Sequence, residues 1–296
     1  MRTPAPESAW AAWSDAAGAS GTAANGVPLA EATDLVVAYG GNVAVRASTF
    51  SIPARGVTAI IGPNGSGKST LLNALAGVIE PRSGRLTVLG GPPSDAFRRV
   101  AYVMQSVPVP ESTPVTVREA VAMGRYATRG WFGRFTREDR EHVRAAMEVL
   151  DVADLARRHL GELSGGQRQR VYVAQGIAQE HQALLLDEPL TGLDLVSART
   201  IAKIIHTERE HGHGVVLTTH DLDEARAADH VILMNGRVLA YGPPAQVLTR
   251  HNLETAYGLG SLHDSGEVFL DDPAHRHPAV DALEPANPER RHTHKH

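Results

Sequence analysis

The chain has 296 residues, of which 42% are hydrophobic, so it can bury the core of one large domain or two small ones. Its formal net charge of -4 gives no general reason to expect nucleic acid or an anionic membrane surface as a partner. The absence of cysteine excludes disulfides and thiolate metal sites, and no apolar run reaches the ~18–20 residues that a membrane-spanning helix needs.

The N-terminal stretch, residues 1–29, is rich in Ala, Gly, Ser and Pro and shows no sustained hydrophobic period. It lacks a basic start that leads into a continuous apolar run, so we expect a disordered tail and not a signal peptide. Order is expected to begin near Thr33. The runs TDLVVAY, VAVRA and STFSI, punctuated by glycines and a proline, predict short strands of an antiparallel layer.

Short apolar runs that suit fully buried strands alternate with helical patterns along the rest of the chain. The runs are VTAII, ALLLDE and GVVLTTH, with HVILM and RVLAYG as two further strands. Helices are predicted over residues 69–75, 165–179 and 195–209. This alternation predicts an α/β fold whose sheet is at least partly parallel.

A helical insertion of about residues 106–164 interrupts the alternation. It contains two helical stretches, residues 117–126 and 137–156, which are separated by ATRGWFGRFT. Residues 251–296 are His-rich and polar, and we expect them to form a disordered tail. The predicted organisation is therefore one folded unit over residues 30–250 between two tails.

The strongest functional signal is GPNGSGKST, which follows the strand VTAII and precedes a predicted helix, as a phosphate-binding loop requires. Its glycines allow backbone N–H groups to surround phosphates, and Lys68 supplies a positive charge to the β- and γ-phosphates. The Ser69 hydroxyl is placed to hold Mg²⁺. The alternative is a glycine-rich turn without a ligand, which the strand-loop-helix context disfavours. The predicted nucleotide-binding residues are Gly62, Pro63, Asn64, Gly65, Ser66, Gly67, Lys68, Ser69 and Thr70.

A pair of carboxylates ends the apolar run in LLLDEP, at the edge where open α/β sheets bind ligands. Asp187 is predicted to support Mg²⁺, directly or through water. Glu188 is predicted to polarise the attacking water as general base. An Asp-Glu pair at a strand end is usually only solvated, so this prediction depends on the phosphate loop.

Three further residues gain meaning beside a phosphate loop. His220 ends the strand in LTTHD and would sense the γ-phosphate, although a histidine there is more often structural. Gln105 ends the strand in VAYVMQS and would act as a neutral Mg²⁺ ligand and orient water. Tyr39, before two glycines, would stack on a base, the alternative being a half-buried strand aromatic.

The stretch LSGGQ has the chemistry of a second phosphate site. Its residues Ser164, Gly165, Gly166 and Gln167 open a predicted helix, where free N–H groups and the helix dipole favour an anion. The chain thus carries two phosphate-binding patterns that are far apart in sequence.

In chain order, these motifs resemble those of the nucleotide-binding subunits of ABC transporters, over roughly residues 31–250. The resemblance implies a P-loop NTPase (RecA-like) core with an antiparallel β subdomain and an inserted α-helical subdomain. It implies an ATPase that uses ATP and Mg²⁺, with Glu188, His220 and Gln105 in catalysis and with Ser69, Gln105 and Asp187 at the metal. The features that carry it are Tyr39, GPNGSGKST, Gln105, LSGGQ, LLLDEP, LTGLD with Asp194, and His220.

The resemblance also implies partners. In the family, two cassettes face each other head to tail, so Ser164, Gly165 and Gly166 of one copy contact ATP held by the phosphate loop of the other. We therefore expect a homodimer that docks on integral membrane permease subunits at the cytoplasmic face of the inner membrane, as a peripheral protein. Residues 106–117, SVPVPESTPVTV, are the expected coupling surface. An extracytoplasmic solute-binding protein is expected in the same system, and no nucleic acid.

The expected cargo follows from the same resemblance. The segment from VAMGRY to LSGGQ resembles cassettes of bacterial importers for zinc, manganese and sometimes iron. Importers for iron-siderophore, haem or cobalamin carry a similar segment and are the alternative. A soluble ABC ATPase that acts on nucleic acid or ribosomes, and a regulatory module without turnover, are the rival functions. A regulatory module without turnover is expected to lack Glu188 or His220, and both residues are present.

The His-rich tail suggests a separate hypothesis, that it binds zinc weakly and reports cytoplasmic metal. The alternative is a solvated tail whose histidines are incidental, since irregular spacing imposes no ligand geometry. The histidines concerned are His263, His275, His277, His292, His294 and His296.

Overall fold

The computed structural model describes residues 26–105, 109–110, 112–129 and 134–258. Nine strands form in these residues: β1 Ala30–Tyr39, β2 Asn42–Ile52, β3 Gly56–Ile61, β4 Ser83–Val88, β5 Val100–Val103, β6 Ala183–Leu186, β7 Gly214–Thr219, β8 His230–Met234 and β9 Val238–Gly242. They make a three-stranded sheet of order β2-β1-β4 and a six-stranded sheet of order β5-β6-β7-β3-β8-β9.

The smaller sheet is antiparallel, as predicted, with β1 paired to both β2 and β4. Its first strand begins at Ala30, a little before the predicted Thr33. The runs VAVRA and STFSI are two parts of the one strand β2, because irregularities in the register let it stay paired with β1 throughout. Gly40 and Gly41, both at positive φ, make the turn between the two strands.

The larger sheet is parallel from β5 to β8, and only the edge strand β9 runs antiparallel. Two apolar layers cover its faces, which explains why β6 and β7 are buried at every position. The carboxyl ends of β3, β5, β6 and β7 lie at one edge. The phosphate loop, Gln105, the Asp187-Glu188 pair and His220 follow these four strands directly.

A helix forms at each of the five places predicted from the sequence. Four further short helices were not predicted as separate elements: Tyr126–Arg129, Leu222–Ala227, Pro244–Val247 and Arg250–Tyr257. In chain order, the helices of the described residues are α1 Lys68–Leu75, α2 Val117–Met123, α3 Tyr126–Arg129, α4 Arg137–Val149, α5 Gly165–Ala178, α6 Leu195–Glu210, α7 Leu222–Ala227, α8 Pro244–Val247 and α9 Arg250–Tyr257. Capping boxes begin α2 at Thr116 and α4 at Thr136.

The structure departs from the sequence prediction most at the ends of two helical regions. The helix predicted to reach residue 156 ends at Val149, because Asp151 takes a positive φ of 52° and breaks the hydrogen-bond ladder. At the other end of the chain, the tail was expected from residue 251. Instead, α9 continues to Tyr257 because Thr249 caps its start and Ala256 is buried against the fold.

A buried ion pair ties the helical insertion to the core. The guanidinium of Arg125, 1% exposed, binds the carboxylate of Asp139 at 2.9 Å. It also donates to the Ala178 carbonyl at 3.0 Å and binds Glu180 at 3.0 Å. One side chain thereby joins α4 to the end of α5.

Parts of the predictions lie outside the described residues. These parts are residues 1–25, residues 106–108 and 111 of the expected coupling surface, residues 130–133 between the two predicted helical stretches, and residues 259–296 of the His-rich tail. Within the described ranges, no helix is both long and apolar enough to span a membrane.

Candidate functional site

The phosphate loop is shaped by close backbone packing. Gly67, at a φ of 98°, caps α1, and a Cβ there would lie 2.7 Å from the Ala44 carbonyl of β2. The amide of Ser66 donates to the Pro63 carbonyl at 3.1 Å, and the amide of Gly236 donates to the Ser66 carbonyl at 2.9 Å. The loop is therefore held between the small sheet and the turn after β8.

The buried Lys68 ammonium donates to the carbonyls of Gly62 at 2.9 Å and Pro63 at 3.3 Å. Burial lowers the pKa of Lys68, and the carboxylates of Glu188 and Asp187 act against that by favouring its charged form. A cation thus stands inside the loop, facing two carboxylates.

The Ser66 hydroxyl of the phosphate loop is suited to bind an anion. The Ser66 hydroxyl is buried and, among the described residues, finds no hydrogen-bond partner. Buried hydroxyls in proteins nearly always have a partner, and a phosphate oxygen would supply one here. Asn64 and Gly65, at the tip of the loop, are exposed, so the loop is open to a ligand from solvent. The residues present therefore fit a bound nucleotide phosphate.

The hydroxyl of Ser69, in the first turn of α1, meets the Asp187 carboxylate at the end of β6. The distance from Oγ to Oδ1 is 3.0 Å. Thr218, fully buried in β7, donates to the same Oδ1 at 2.6 Å. A hydroxyl and a carboxylate oxygen side by side are a donor set that Mg²⁺ accepts, so these side chains fit the predicted metal.

Glu188 takes a positive φ of 46°, which is strained for a residue with a side chain and recurs at functional sites. The Thr218 hydroxyl accepts the Glu188 amide at 2.8 Å and so holds this turn. The Gln105 amide donates to the Glu188 carboxylate at 3.3 Å. The structure thus brings Gln105, Asp187 and Glu188 together, as predicted from their strand ends.

Thr218 is the residue that sequence reasoning missed. It stands in LTTHD two positions before His220, but nothing in its type or spacing distinguished it from an ordinary strand threonine. The parallel register sets Leu217 beside Leu186, and that places Thr218 next to Asp187.

His220 and Tyr39 lie at the edge of this cluster. His220 is exposed, and among the hydrogen bonds and ion pairs of the described residues none joins it to Asp187 or Glu188. The hydroxyl of Tyr39, half-exposed, accepts from the Asn73 amide of α1 at 3.3 Å. The Asn73 oxygen in turn accepts from Tyr102 at 3.0 Å. Tyr39 therefore presents its ring beside the phosphate-loop helix.

Buried Glu224 of α7 is a third carboxyl near the site, after those of Asp187 and Glu188. Burial raises its pKa to about 7, the Thr219 hydrogen bond opposes the rise, and the charges of Asp221 and Glu188 add to it. It is therefore partly protonated at neutral pH.

The LSGGQ stretch forms the start of α5. The Ser164 hydroxyl accepts the Gln167 amide at 3.2 Å, and the Gln167 side chain accepts the Ser164 amide at 3.1 Å. This capping box explains both residues locally. Ser164 and Gly165 are nevertheless exposed, and a Cβ on Gly165 would meet nothing within 4 Å in the described structure.

Gly166 is required for close packing. A Cβ there would collide with the Asp194 carboxylate and lie 2.5 Å from the Ser197 hydroxyl. Asp194 caps α6 by accepting from the Ser197 amide at 3.0 Å, and this hydrogen bond lowers the pKa of Asp194. No hydrogen bond or ion pair among the described residues joins LSGGQ to residues 62–70. The two phosphate patterns are separate within one chain.

Comparison with known proteins gives consistent similarities. The family model described as ABC transporter matches residues 45–191. A zinc transport system ATP-binding protein of Treponema pallidum is 37% identical, over 76% of this chain and 85% of its own length. A manganese transport system ATP-binding protein of Listeria monocytogenes is 35% identical, over 77% and 95%. A chelated iron transport system membrane protein of Yersinia pestis is 38% identical, over 78% and 80%.

Solved structures show the same similarity in three dimensions. An ATP-binding cassette of an ABC transporter in its ADP conformation superposes with a TM-score of 0.65 and 25% identity, over 78% of this chain and 98% of its own. A component of an ABC transporter complex from Clostridium perfringens gives a TM-score of 0.62 and 27% identity, over 77% and 93%.

Proposed function

The chain belongs to the ATP-binding cassette family of ABC transporters, and we propose that it hydrolyses ATP to drive import of a divalent metal ion, zinc or manganese, through a separate permease. The observation that carries the catalytic part is the joining of Ser69, Asp187, Thr218 and Glu188 into one hydrogen-bonded group beside the phosphate loop. The cargo is inferred from relatives named for manganese and zinc transport.

Nucleotide binding is assigned to the phosphate loop and its flanks. The free backbone N–H groups of the loop and of the start of α1 are assigned to the phosphates, because such groups favour an anion. Lys68 leaves its two loop carbonyls to bind the β- and γ-phosphates, and the Ser66 hydroxyl gains the partner that it lacks. Tyr39, anchored by Asn73, offers its ring to the base.

The metal is assigned to the hydroxyl of Ser69 and the carboxylate of Asp187, directly or through water, with the Gln105 amide as a third, neutral ligand. Mg²⁺ bound there would neutralise the charge that develops on the transferring phosphoryl group. Thr218 holds the Asp187 carboxylate toward Ser69, so the two oxygen donors stay in place before the ion arrives.

Glu188 is assigned as the general base that takes a proton from the attacking water. The Thr218 hydroxyl fixes its backbone and the Gln105 amide contacts its side chain, so the carboxylate is oriented before the reaction. His220, exposed after β7, is assigned to the γ-phosphate, which its imidazole would contact when ATP is bound.

A second copy completes the site. Ser164 and Gly165 are exposed, and among the described residues no hydrogen bond or ion pair joins them to residues 62–70, so they are assigned to the γ-phosphate of ATP bound by the partner copy. Gly166 allows Asp194 to approach, which places the start of α6 at the same contact. ATP then joins the two copies and hydrolysis releases them.

ATP-binding subunits of transport systems work with membrane permease components. We assign this chain to the cytoplasmic face of the membrane, held there by permease subunits, with an extracytoplasmic solute-binding protein delivering the cargo. Met104 and Met123, which lie in sequence before and after the expected coupling surface, have exposed side chains that suit contact with a permease.

A metal chelate is the second candidate cargo, because one relative is named for chelated iron transport. Measuring metal uptake after deletion of the gene distinguishes the two candidate cargoes. Loss of radiolabelled zinc or manganese uptake supports the free ion, whereas loss of only iron-chelate uptake contradicts it.

The catalytic assignment is tested with Glu188→Gln. We expect ATP hydrolysis to fall by about 10²–10⁴-fold while ATP binding persists, because the general base is lost and the phosphate loop is intact. Glu210→Gln, at the far end of α6, is the matched control and keeps activity. Full activity in Glu188→Gln contradicts the assignment.

A further inference from the structure

A second cluster of ionisable side chains lies at the opposite edge of the six-stranded sheet. His181 precedes β6, Glu208 lies in the last turns of α6, and His213 precedes β7. The three side chains are 4%, 0% and 2% exposed. One ligand atom from each lies within 4.8 Å of the other two. Two imidazoles and a carboxylate without solvent are not explained by the nucleotide site.

The hydrogen bonds determine which atoms face the interior of this cluster. Nδ1 of His181 contacts the Gln179 carbonyl at 2.8 Å, and because a carbonyl only accepts, Nδ1 carries the proton. Its Nε2 lies 3.2 Å from Oε2 of Glu208, which makes an ion pair when the ring is protonated and leaves a lone pair facing the carboxylate when the ring is neutral. A proton or a metal ion can therefore lie between these two atoms.

Three buried atoms of the cluster lack hydrogen-bond partners in the described structure: His181 Nε2, Glu208 Oε1 and His213 Nε2. Nδ1 of His213 already contacts Oε2 of Glu208 at 2.5 Å. A shared proton can join one nitrogen to one oxygen, but it leaves the other two atoms unsatisfied, which is costly in the interior. An ion that takes a ligand atom from each residue removes more of that cost.

From this arrangement we propose that His181, Glu208 and His213 bind one divalent transition-metal ion, with Zn²⁺ as the best match. Two imidazole nitrogens exclude Mg²⁺ and Ca²⁺ as preferred ions and suit zinc. A tetrahedral ion with bonds of ~2.1 Å keeps its ligand atoms roughly 3.4 Å apart. The 3.2 Å between His181 and Glu208 is close to that spacing, whereas the 2.5 Å between His213 Nδ1 and Glu208 Oε2 is a hydrogen bond that has to open when the third ligand binds. The Gln179 carbonyl orients the first imidazole, as backbone carbonyls do for metal-bound histidines.

His211, which is partly exposed, lies beside the cluster, and its ring centroid is 6.2 Å from that of His213. The site lies about 20 Å along β6 from Asp187. The bound ion would join the segments before β6 and β7, whose far ends carry Asp187 and Thr218. Binding needs no nucleotide, so the proposal does not rest on the proposed transport function.

The test is a titration of the full-length chain with Zn²⁺ in competition with a fluorescent zinc indicator. The variant is His213→Asn, whose amide still donates to Glu208. The control is His142→Asn, which removes the imidazole from the more exposed group of Glu138, His142 and Glu180. The His-rich residues 259–296 are present in every protein and contribute equally.

We expect the wild type and His142→Asn to hold the same number of tightly bound ions. His213→Asn should lose one of them, or bind it about tenfold or more weakly. Equal stoichiometry and affinity in all three proteins would overturn the proposal. If His213→Asn does not fold, the test is an anomalous difference map from wild-type crystals grown with one equivalent of Zn²⁺. An anomalous peak bonded to His213 supports the site, and a peak only elsewhere refutes it.

Discussion

The hydroxyl of Thr218 donates to the Asp187 carboxylate at 2.6 Å while accepting the backbone amide of Glu188 at 2.8 Å. One buried oxygen atom thus orients the residue assigned to the metal and the residue assigned as base. Neighbouring parallel strands β6 and β7 supply the three residues. Replacing this oxygen therefore tests whether the group acts as a unit.

Thr218→Val keeps the shape of the side chain and removes the hydroxyl. We expect kcat for ATP hydrolysis to fall by about tenfold or more, with little change in KM, because a hydrogen bond to a charged group is worth ~1.5–3 kcal/mol. Steady-state kinetics measure both constants. Thr218→Ser should restore kcat, and equal kcat in the Val and Ser variants would remove Thr218 from the mechanism.

We expect alanine substitutions at Gly165 and Gly166, the adjacent glycines at the start of α5, to have different effects on folding stability. A Cβ on Gly165 meets open space, so Gly165→Ala should leave the melting temperature unchanged and weaken ATP-driven dimerisation and turnover. A Cβ on Gly166 displaces Asp194 and Ser197, so Gly166→Ala should also lose about 1 kcal/mol of folding stability through the damaged α6 cap.

Analytical ultracentrifugation with ATP in Glu188→Gln, which retains ATP, measures this association, and thermal unfolding measures stability. ATP binding to the monomer should survive in Gly165→Ala. Normal ATP-dependent dimers in that variant would contradict the assignment of Gly165 to the partner's nucleotide.

We expect that replacing Arg125 lowers the free energy of unfolding by a large amount without altering any residue assigned to ATP. Arg125→Met removes the guanidinium that binds the fully buried carboxylate of Asp139, and such losses cost about 3–5 kcal/mol. Urea unfolding measures the change. Arg137→Met is the control, since its ion pair with Glu141 is exposed and is worth less than ~0.5 kcal/mol. Similar losses in both variants would show that the Arg125 network does not hold the insertion.

Because the pKa of Glu224 is raised in the fold, we expect the folding stability to fall as pH rises. Its pKa is 4.5 in a model peptide and about 7 in the fold, so the folded chain holds a proton that the unfolded chain releases. The stabilisation is complete below pH 4.5 and is lost as pH rises through 7. It amounts to about 3 kcal/mol.

Glu224→Gln keeps a neutral, hydrogen-bonding side chain and should therefore be more stable than the wild type at pH 8, while the two are equal near pH 4.5. Unfolding free energies at both pH values make the comparison. Asp223→Asn, on the exposed side of α7, is the control. A parallel pH profile for Glu224→Gln and wild type would place the titrating group elsewhere.

The family, the fold class and the ATPase activity predicted from the sequence are confirmed, whereas the individual residue roles stay predictions. Strands such as β6 and β7 were predictable because both faces are buried, which leaves continuous apolar runs. The end of α4 was not predictable from the sequence. Leu150, Val152 and Leu155 are buried and continue the apolar pattern after the backbone has left the helical conformation.

Long-range pairing explains what sequence alone did not indicate. Thr218 meets Asp187 through the register of two strands that are distant in sequence, and no local pattern encodes that register. His181, Glu208 and His213 likewise come from three segments that only the folded sheet brings together. Cassette motifs have known spacings, but such clusters have none.

Three amides link the phosphate loop to both sheets: Ser66 donates to Pro63, Gly236 to Ser66, and Arg46 of β2 to Gly236, the last at 2.8 Å. Breaking one link exposes the next, so these amides should exchange with deuterium as one cooperative unit. Nucleotide binding that steadies Ser66 would then slow exchange at Arg46, in a different sheet. The small antiparallel sheet would thus report, by its rate of hydrogen exchange, whether the loop is occupied.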